Sequence, residues 1–395
     1  MSLQHRGDPP SNPLTPEEPA LRQMRAVYFF YFASVGIYAV FLNVHFYNIG
    51  LSGLEIGLVN TLIPLMGMLG SPLWGVLADR SGQLRRLLLL AAAGSLAAVM
   101  ALFPARTLTW ILILIGVFAF FQGPLVPLLD TLTLNLLGGR RHLYGRQRIF
   151  GTLGYILTAL TLGGLIERYG SPALFGGYGL VMLLVLASLR FLPPRQAAMP
   201  AGIRLDLGLF VREWRWLAFA LSLFFLGIAL NGLQAFLAIY IQDLGGGERL
   251  IGLAFALTAI SETPIMLAGG WLIQRFGSRR LLRLAFLLYA VRLLLYSLAP
   301  SAGWVVGFGL MHGLTFGLYW ISSVAYTDEL AAGQMTATAH NLRAAVLYLA
   351  NLLGSLLGGW LYDMSGGRVM FQVMAASALL AFFLSGLIGR SRERG

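Results

Sequence analysis

The stretch Gly75-Val-Leu-Ala-Asp79-Arg80-Ser-Gly82-Gln-Leu-Arg85-Arg86 separates two long apolar segments and decides how the whole chain is interpreted. A related stretch, Gly270-Trp-Leu-Ile-Gln274-Arg275-Phe-Gly277-Ser-Arg279-Arg280, begins 195 residues later. Two arginines inside apolar segments, Arg148 and Arg343, have the same separation of 195 residues. Two independent features with one offset predict an internal duplication, which is common among transporters.

The composition indicates that this duplicated chain lies in a membrane. Of its 395 residues, 57% are hydrophobic and 11% are charged, whereas soluble domains carry about 25% charged residues. A surface that faces hydrocarbon does not need charged groups, because no water surrounds it. The low share of charged residues therefore predicts a membrane protein.

The same composition excludes several function classes. The net charge is +12, but all the basic residues are arginines and most lie in short loops, without the basic face that nucleic-acid binders present. The chain has no cysteine, and its five histidines show no metal-ligand spacing. No nucleophile with a base and no nucleotide-binding loop is found. We expect no nucleic-acid partner, no metal, no cofactor and no enzymatic activity.

Twelve apolar stretches are long enough to cross a bilayer, which takes about 20 residues. They lie at 24–48, 52–77, 86–104, 109–136, 144–166, 172–192, 214–241, 249–274, 280–299, 302–330, 336–361 and 366–389. The predicted fold is an all-α membrane protein with twelve transmembrane helices in two pseudo-symmetric six-helix bundles. The bundles occupy 24–192 and 214–389 and are joined by a cytoplasmic linker at 193–213. The proline-rich residues 1–23 predict a disordered tail, and 390–395 a second tail.

The distribution of arginine predicts the orientation. With the amino terminus in the cytoplasm, 21 of the 28 arginines lie in inside segments. Four lie outside, namely Arg106, Arg168, Arg249 and Arg368. This excess follows the positive-inside rule and places both termini in the cytoplasm. We expect a monomer in the inner membrane of a bacterium, in contact with the lipid bilayer.

Three arginines, Arg148, Arg292 and Arg343, fall inside predicted spans. A charged side chain there costs about 2.5–3.5 kcal/mol on insertion scales, so each indicates a functional site. Glu262 in span 8 and Arg292 in span 9 lie at matched depths, about 18 Å from one end at 1.5 Å per residue, and are predicted to pair. The pair could simply hold the bundle together. Alternatively, Glu262 could take up a proton when Arg292 is drawn away.

A second matched pair is predicted in the first half. Asp130 in span 4 and Arg148 in span 5 lie at similar heights. Gln122 shares a helix face with Asp130, while Thr152 and Tyr155 share one with Arg148. An acid, a guanidinium and an aromatic ring can bind a hydroxylated ring, by hydrogen bonds and by stacking. These five residues are predicted to bind substrate.

Polar stripes at helical spacing extend this site to other spans. Further candidates for substrate binding are Asn231, Gln234, His312, Tyr319, Arg343 and Asn351. Any one stripe could reflect ordinary hydrogen bonding between helices, but together they predict a central polar cavity between the halves. Asp328 with Arg343 could mirror Asp130 with Arg148, or Asp328 could serve a cytoplasmic gate.

The loop at 75–86 resembles the signature loop of the major facilitator superfamily, and the resemblance covers residues 24–389. It implies a cytoplasmic gate formed by Asp79, Arg80, Gly82 and Arg85, to which the position of Asp328 at the cytoplasmic end of span 10 adds a further gate candidate. Asp130 and the run from Arg148 to Tyr155 resemble the sugar site of the lactose permease group, and Glu262 matches its coupling acid. The stretches Tyr144–Arg148 and Met311–Gly317 are similar to the related phenylpropionate and nucleoside permease branch.

One departure from the lactose permease group affects the proton pathway. That group has a glutamate one turn after the histidine of span 10, whereas here Thr315 follows His312. The resemblance therefore leaves Glu262 as the first candidate for the proton carrier and Asp130 as the second, with Arg292 and His312 in supporting roles.

The predicted function is proton-coupled symport of a small polar organic solute, a sugar or a nucleoside, by alternating access. The expected partners are this solute and protons. Uptake of an aromatic or other carboxylate, bound by Arg148 or Arg343, is the first alternative. Export of drugs or metabolites is the second, although span 5 lacks the glycine-and-proline motif that exporters of this superfamily often carry.

Overall fold

The computed structural model describes residues 18–192, 213–331 and 336–387, and all regular elements in these ranges are helices. The first half contains α1 (Glu18–Asn48), α2 (Gly53–Ser81), α3 (Leu84–Leu102), α4 (Leu108–Gln122), α5 (Leu125–Leu137), α6 (Tyr144–Tyr169) and α7 (Ser171–Arg190). The second half contains α8 (Trp214–Asp243), α9 (Glu248–Phe276), α10 (Ser278–Ser297), α11 (Ala302–Gly309), α12 (Leu318–Ala331) and α13 (Thr336–Leu387).

The helices account for twelve membrane crossings. Among the described residues, nine helical runs are long and apolar enough to span a membrane. Two of these, Leu108–Tyr169 with 62 residues and Thr338–Leu387 with 50, are each long enough for two crossings, since one takes about 20 residues. The remaining crossing is α10, which is not among the nine runs because its four arginines make it more highly charged than they are. The predicted twelve-helix fold is confirmed.

Two spans are interrupted and two others are joined at a single glycine, each for a local reason. Gly123 and Pro124 separate α4 from α5, because proline lacks the N–H that a helix interior needs. Gly366 has a φ of 75° and divides α13 into two crossings, since the left-handed region suits glycine. A π-helical turn, Gly313–Gly317, joins α11 to α12 directly after His312, and such turns are frequent at functional sites.

The first helix begins earlier than the sequence predicts. It starts at Glu18 rather than at 24, and Ala20, Leu21 and Met24 are buried against the core. Pro19 does not end the helix, because proline is tolerated in the first turn. The rest of the predicted amino-terminal tail, the linker apart from Glu213, and the carboxy-terminal tail lie outside the described residues.

The twelve crossings give the bundle two ends. The terminal face is the end where α1 begins and α13 finishes, and it includes the α2–α3 and α9–α10 connections. The distal face is the opposite end, with the turns near residues 50, 170, 245 and 366. The two halves approach most closely near the distal face. A Cβ on Gly252 of α9 would lie 2.0 Å from the Ala159 carbonyl oxygen of α6, so only glycine permits this contact.

Candidate functional site

A polar cavity of about 450 Å³ lies between α6 of the first half and α9 of the second, within the size range of small-molecule sites. Both halves supply polar side chains to its wall. Arg148, Thr152 and Tyr155 come from α6, and Glu262 comes from α9. The structure therefore brings three of the five predicted substrate residues of the first half and the predicted coupling acid of the second half into one cavity.

The turn geometry around His312 places its imidazole in the same cavity. Gly313, which follows it, lies against α9 so closely that a Cβ would be 2.0 Å from the Ser261 carbonyl oxygen. The Gly313 N–H also donates a hydrogen bond of 3.1 Å to Ser261 Oγ. These contacts fix the π-helical turn against α9 and hold the imidazole beside Glu262.

The predicted ion pair between Glu262 and Arg292 is wrong, because the His312 ring lies between the two charges. Arg292 Nη1 donates to His312 Nδ1 over 3.0 Å, and His312 Nε2 lies 3.7 Å from Glu262 Oε2. Arg292 is 1% exposed and also donates to the hydroxyl groups of Tyr296 and Thr315, over 2.6–3.1 Å. Thr315, where a glutamate was expected, thus serves as an acceptor for the buried guanidinium.

The hydrogen bonds of His312 determine its tautomer. Arginine has only donors, so His312 Nδ1 must accept with its lone pair. The ring hydrogen of the neutral imidazole then sits on Nε2, the nitrogen that faces Glu262. A distance of 3.7 Å exceeds that of a direct hydrogen bond. The Glu262 carboxylate, 27% exposed at its side chain, therefore stays available to a ligand or a proton from the cavity.

Asp130 and Arg148 also do not pair directly; they share tyrosine partners. Asp130 Oδ1 accepts a hydrogen bond of 2.7 Å from the Tyr28 hydroxyl, and Tyr144 interacts with both charges. The Arg148 guanidinium lies 4.2 Å from the centre of the Phe32 ring and 5.8 Å from that of Tyr28. Among the residues that the structure describes, Arg148 has no carboxylate within 4.0 Å. Its charge instead faces aromatic rings and the cavity.

Three predicted substrate residues line a different cavity. Asn231, Gln234 and Asn351 surround a space of about 170 Å³ together with Asn43 and Asn60. The amides of Asn43 and Asn60 donate to each other over 3.1–3.2 Å, and Asn43 also donates to the Ala235 carbonyl oxygen of α8. This amide-lined cavity lies nearer the distal face than the first one.

Gln122 and Tyr319 do not reach either cavity. The Gln122 side chain accepts from Ser95 and donates to the hydroxyl groups of Tyr31 and Tyr38, so its amide is used inside the first half. Tyr319 is 2% exposed and lies edge-on to Tyr289. Gln122 supports the wall of the amide-lined cavity from behind, through its hydrogen bond to Tyr38.

Arg343 does not mirror Arg148 with an acid of its own. Asp328 pairs with His340 at 2.8 Å and not with Arg343. Arg343 is 8% exposed, donates to Ser323 Oγ over 3.3 Å, and lies 5.3 Å from the centre of the Trp320 ring. Within the described ranges, this buried guanidinium has no carboxylate partner.

The predicted gate residues lie at the terminal face. Asp79 and Arg80 are exposed, and neither forms a hydrogen bond or ion pair with any residue that the structure describes. Gly82 has a φ of 62° and ends α2 through a hydrogen bond to Ala78. Arg85 Nη1 donates over 2.8 Å to the Leu192 carbonyl oxygen, within its own half. These residues therefore make no contact between the halves in this conformation.

The distal face, in contrast, is closed by two reciprocal contacts that we call the carboxylate latches. Asp363 at the end of a crossing in α13 accepts hydrogen bonds from the backbone N–H groups of Gly53 and Leu54, over 2.6 and 2.8 Å. Glu167 near the end of α6 accepts from the Arg249 backbone N–H over 2.9 Å and pairs with Arg249 Nε at 3.1 Å. Each half thus places a carboxylate on a helix N-terminus of the other half, where negative charge is favoured.

The latches repeat with the sequence duplication. Leu54 and Arg249 are 195 residues apart, and Glu167 and Asp363 are within one residue of that separation. Within residues 18–192, 213–331 and 336–387, every hydrogen bond between the halves joins residues in the distal parts of the helices. Applying the 195-residue offset to the acids near the ends of spans 5 and 11 would have revealed these residues, which sequence reasoning missed.

Sequence reasoning also missed Tyr28, Phe32 and Tyr144, which surround Asp130 and Arg148. Tyr28 and Tyr31 lie one helical turn apart in span 1, so this helical spacing could have identified Tyr28. Phe32 carries no polar signal, since an apolar ring on a membrane helix usually faces lipid. In the described part of the chain, no cluster of metal-ligating side chains is found.

Comparisons with known proteins agree with this architecture. Residues 21–373 match the model of the "MFS_1 like family". The chain is 32% identical over 368 residues to a maltose permease of Geobacillus stearothermophilus, covering 92% of this chain and 91% of that protein. It is 26% identical over 373 residues to an Escherichia coli protein named "Probable 3-phenylpropionic acid transporter", covering 90% and 95%.

Solved structures give the same result for the fold. The crystal structure of the nucleoside transporter NupG has a TM-score of 0.83 and covers 94% of this chain and 99% of that one. The sequence identity is 16%, so the likeness concerns the fold alone. A bacterial homologue of the human lysosomal transporter Spinster, in an inward-facing conformation, has a TM-score of 0.71 with 96% and 97% covered.

Proposed function

The chain belongs to the MFS_1 like family of major facilitator transporters, and from that premise we propose that it is a proton-coupled sugar symporter. The proposal concerns the substrate and the coupling ion, since the family accounts for transport itself. The favoured substrate is a neutral sugar of the maltose class.

One observation carries the proposal: Glu262 and His312 line the same cavity as Arg148, Thr152 and Tyr155. A sugar in this cavity can accept hydrogen bonds from Arg148 and place a ring face on Tyr155. Its other hydroxyl groups can donate to the Glu262 carboxylate. The substrate and the proton then bind to the same carboxylate, that of Glu262. Binding of the substrate can therefore depend on binding of the proton, as coupling requires.

The maltose permease relative supports a sugar over the other solutes. Its identity to this chain extends over nearly the full length of both proteins. The amide-lined cavity adds to this argument, because Asn231, Gln234 and Asn351 can each donate to and accept from hydroxyl groups. A disaccharide could engage both cavities in the course of transport.

The carboxylate latches and the exposed gate residues support alternating access. With the termini in the cytoplasm, the distal face is periplasmic and the conformation described here is closed to the outside. Asp79 would acquire a partner only when the terminal face closes. The cavity then opens alternately to each side while the substrate site stays near its centre.

Glu262→Gln tests the coupling role. Glutamine keeps the size and the polar contacts but cannot bind and release a proton at this position. We expect the variant in proteoliposomes to lose uphill maltose accumulation driven by a proton gradient while retaining exchange of labelled for unlabelled maltose. Gradient-driven accumulation by the variant would exclude Glu262 as the proton carrier.

A second candidate function is uptake of an aromatic carboxylate. Arg343 favours it, because this buried guanidinium lies against Trp320 and lacks an acid partner among the described residues. The relative named for 3-phenylpropionic acid supports the same reading. Competition of uptake by maltose, a nucleoside and 3-phenylpropionate separates the candidates. Inhibition by 3-phenylpropionate alone would indicate that the substrate is a carboxylate and not a sugar.

A further inference from the structure

A third cavity lies at the terminal face, within the second half only, and shares no lining residue with the transport cavity. It has a volume of about 450 Å³ and surrounds the connection between α9 and α10. We call it the α9–α10 pocket; its lining residues are Phe276, Gly277, Ser278, Arg279, Arg280, Arg283 and Glu329. This connection is the second copy of the signature loop.

The charges of the α9–α10 pocket favour an anion. Three guanidinium groups and one carboxylate line it, which leaves a net charge of +2. No ion pair joins Glu329 to these arginines among the described residues, and the Arg283 guanidinium lies 5.4 Å from the centre of the Phe382 ring. Among the residues that the structure describes, no carboxylate pairs with any of these three positive charges.

The backbone adds donors directed at the same space. α10 begins at Ser278, and its N-cap residue Gly277 provides no side-chain hydrogen bond to the first turn. The N–H groups of a first turn have no partners within their own helix. They form, together with the helix dipole, a binding site for phosphate and similar anions.

Ser278 is an independent sign that a ligand is missing from this pocket. The residue is 2% exposed, and its hydroxyl group has no hydrogen-bond partner. The Arg283 Nε atom is also buried without a partner. Buried polar atoms are nearly always hydrogen-bonded, so two unpaired atoms at one pocket call for an acceptor that enters from outside.

The first copy of the loop serves as an internal comparison. There Arg85 donates to the Leu192 carbonyl oxygen and Arg86 to Gln83 Oε1. That copy also carries a carboxylate, Asp79, where the second copy has Gln274. Arg85 and Arg86 thus have acceptors although Asp79 takes no part, whereas Arg279, Arg280 and Arg283 of the second copy have none among the described residues.

The surroundings indicate where the anion comes from. Trp271 and Phe276 on α9 are 62% and 45% exposed and lie edge-to-face, with ring centres 6.0 Å apart. Exposed aromatic side chains near the end of a membrane helix are typical of the headgroup region of a bilayer. The α9–α10 pocket therefore opens at the depth where phospholipid phosphates lie.

We propose that the α9–α10 pocket binds a phosphate group, supplied by an anionic phospholipid of the leaflet at the terminal face. The phosphate oxygens accept from the first-turn N–H groups of α10, from Ser278 and from the arginines. This site is separate from the transport cavity, so its test does not depend on the transported substrate.

Native mass spectrometry of the full-length protein in detergent tests the proposal. Three probes are added in parallel: phosphatidylglycerol, phosphatidylcholine and inorganic phosphate. The variants are Ser278→Ala and the double variant Arg279→Gln/Arg280→Gln. Arg86→Gln, an arginine of the first loop outside the pocket, is the matched control.

We expect phosphatidylglycerol to bind more tightly than phosphatidylcholine, whose own cation opposes the arginines. Each arginine near an anionic lipid surface contributes a factor of about five, so the double variant should bind phosphatidylglycerol about 25-fold more weakly. Loss of one hydrogen bond in Ser278→Ala should weaken binding about fivefold. Arg86→Gln should bind as the unaltered protein does.

The arms separate the two sources of the phosphate group. Binding of inorganic phosphate with the same dependence on Ser278, without binding of phosphatidylglycerol, would assign the pocket to a soluble phosphate. Equal binding of the two lipids would overturn the proposal. So would an effect of Arg86→Gln as large as that of the double variant, or unchanged binding by Ser278→Ala in every arm.

Discussion

The carboxylate latch formed by Asp363 gives the most direct test of how the distal face is closed. In Asp363→Asn one side-chain oxygen still accepts from Gly53 or Leu54, but the second backbone N–H loses its acceptor. The negative charge at the start of α2 is lost as well. Asparagine has nearly the size of aspartate, so the packing of the helices is retained.

The magnitude follows from the two contacts. A hydrogen bond to a charged group contributes about 1.5–3 kcal/mol, and charge at a helix N-terminus about 0.3–1 kcal/mol. In the open state water replaces the lost acceptor, so we take the low end of the hydrogen-bond contribution alone, about 1.5 kcal/mol. This energy corresponds to a factor of about ten in the equilibrium. The population that is open at the distal face should therefore rise about tenfold.

The absence of cysteine from the chain supplies the assay. Ser355 is 2% exposed and lies beside Gly57 where the halves meet. A Ser355→Cys variant is labelled by a maleimide only while the distal face is open. We expect the labelling rate to rise about tenfold when Asp363→Asn is added, and similarly with Glu167→Gln.

Glu55→Gln is the matched control. Glu55 lies on the same face and caps a helix, but its partner Ser52 belongs to the same helix, so no contact between halves is lost. The labelling rate should stay within about twofold of the parent, since 0.4 kcal/mol is the scale of an exposed intrahelical contact. Unchanged labelling in both latch variants, or equal increases in the control, would refute the latch mechanism.

Three further predictions concern the cavity and its support. His312→Gln should keep near-parental thermal stability, because an amide can still accept from Arg292, whereas His312→Leu should lose about 1–3 kcal/mol; equal melting temperatures would contradict the bridging role. Gln122→Leu should lower the melting temperature without changing the order of substrate preference in competition assays, since its amide contacts Tyr38 inside one half; a changed order would place it in the site. Gly252→Val should favour the distal-open state in the same maleimide assay, because a side chain cannot fit between α9 and α6; unchanged labelling would show that this contact does not hold the face closed.

Much of the fold could be predicted from the sequence because the bilayer imposes a simple rule. Every span must satisfy its backbone groups within a helix and carry about 20 apolar residues. The observed bounds therefore lie within a few residues of the predicted ones, except at α1. Arg148, Thr152, Tyr155 and Glu262 line one cavity, because their spacing and depth follow from helix geometry alone.

The pairing of charges could not be predicted in the same way. Matched depth placed Glu262 near Arg292, but rotation about each helix axis is set by packing against neighbours. A π-helical turn, fixed by the contact of Gly313 with Ser261, brought the His312 ring between the two charges. A displacement of about one residue in the hydrogen-bond pattern is not visible in hydrophobic periodicity.

The signature loop and its copy thus determined, from sequence alone, that the chain is a duplicated twelve-helix transporter. Spans that face lipid must be apolar, and a duplication leaves matching residues separated by the same number of positions in each half. Only the tertiary structure decided which end of the bundle is closed and by which groups. Asp79 of the loop has no partner here, while Glu167 and Asp363, which no motif marks, hold the halves together. A contact between the halves depends on the relative tilt of the two six-helix bundles. That tilt follows from packing across the whole interface rather than from any local stretch of sequence.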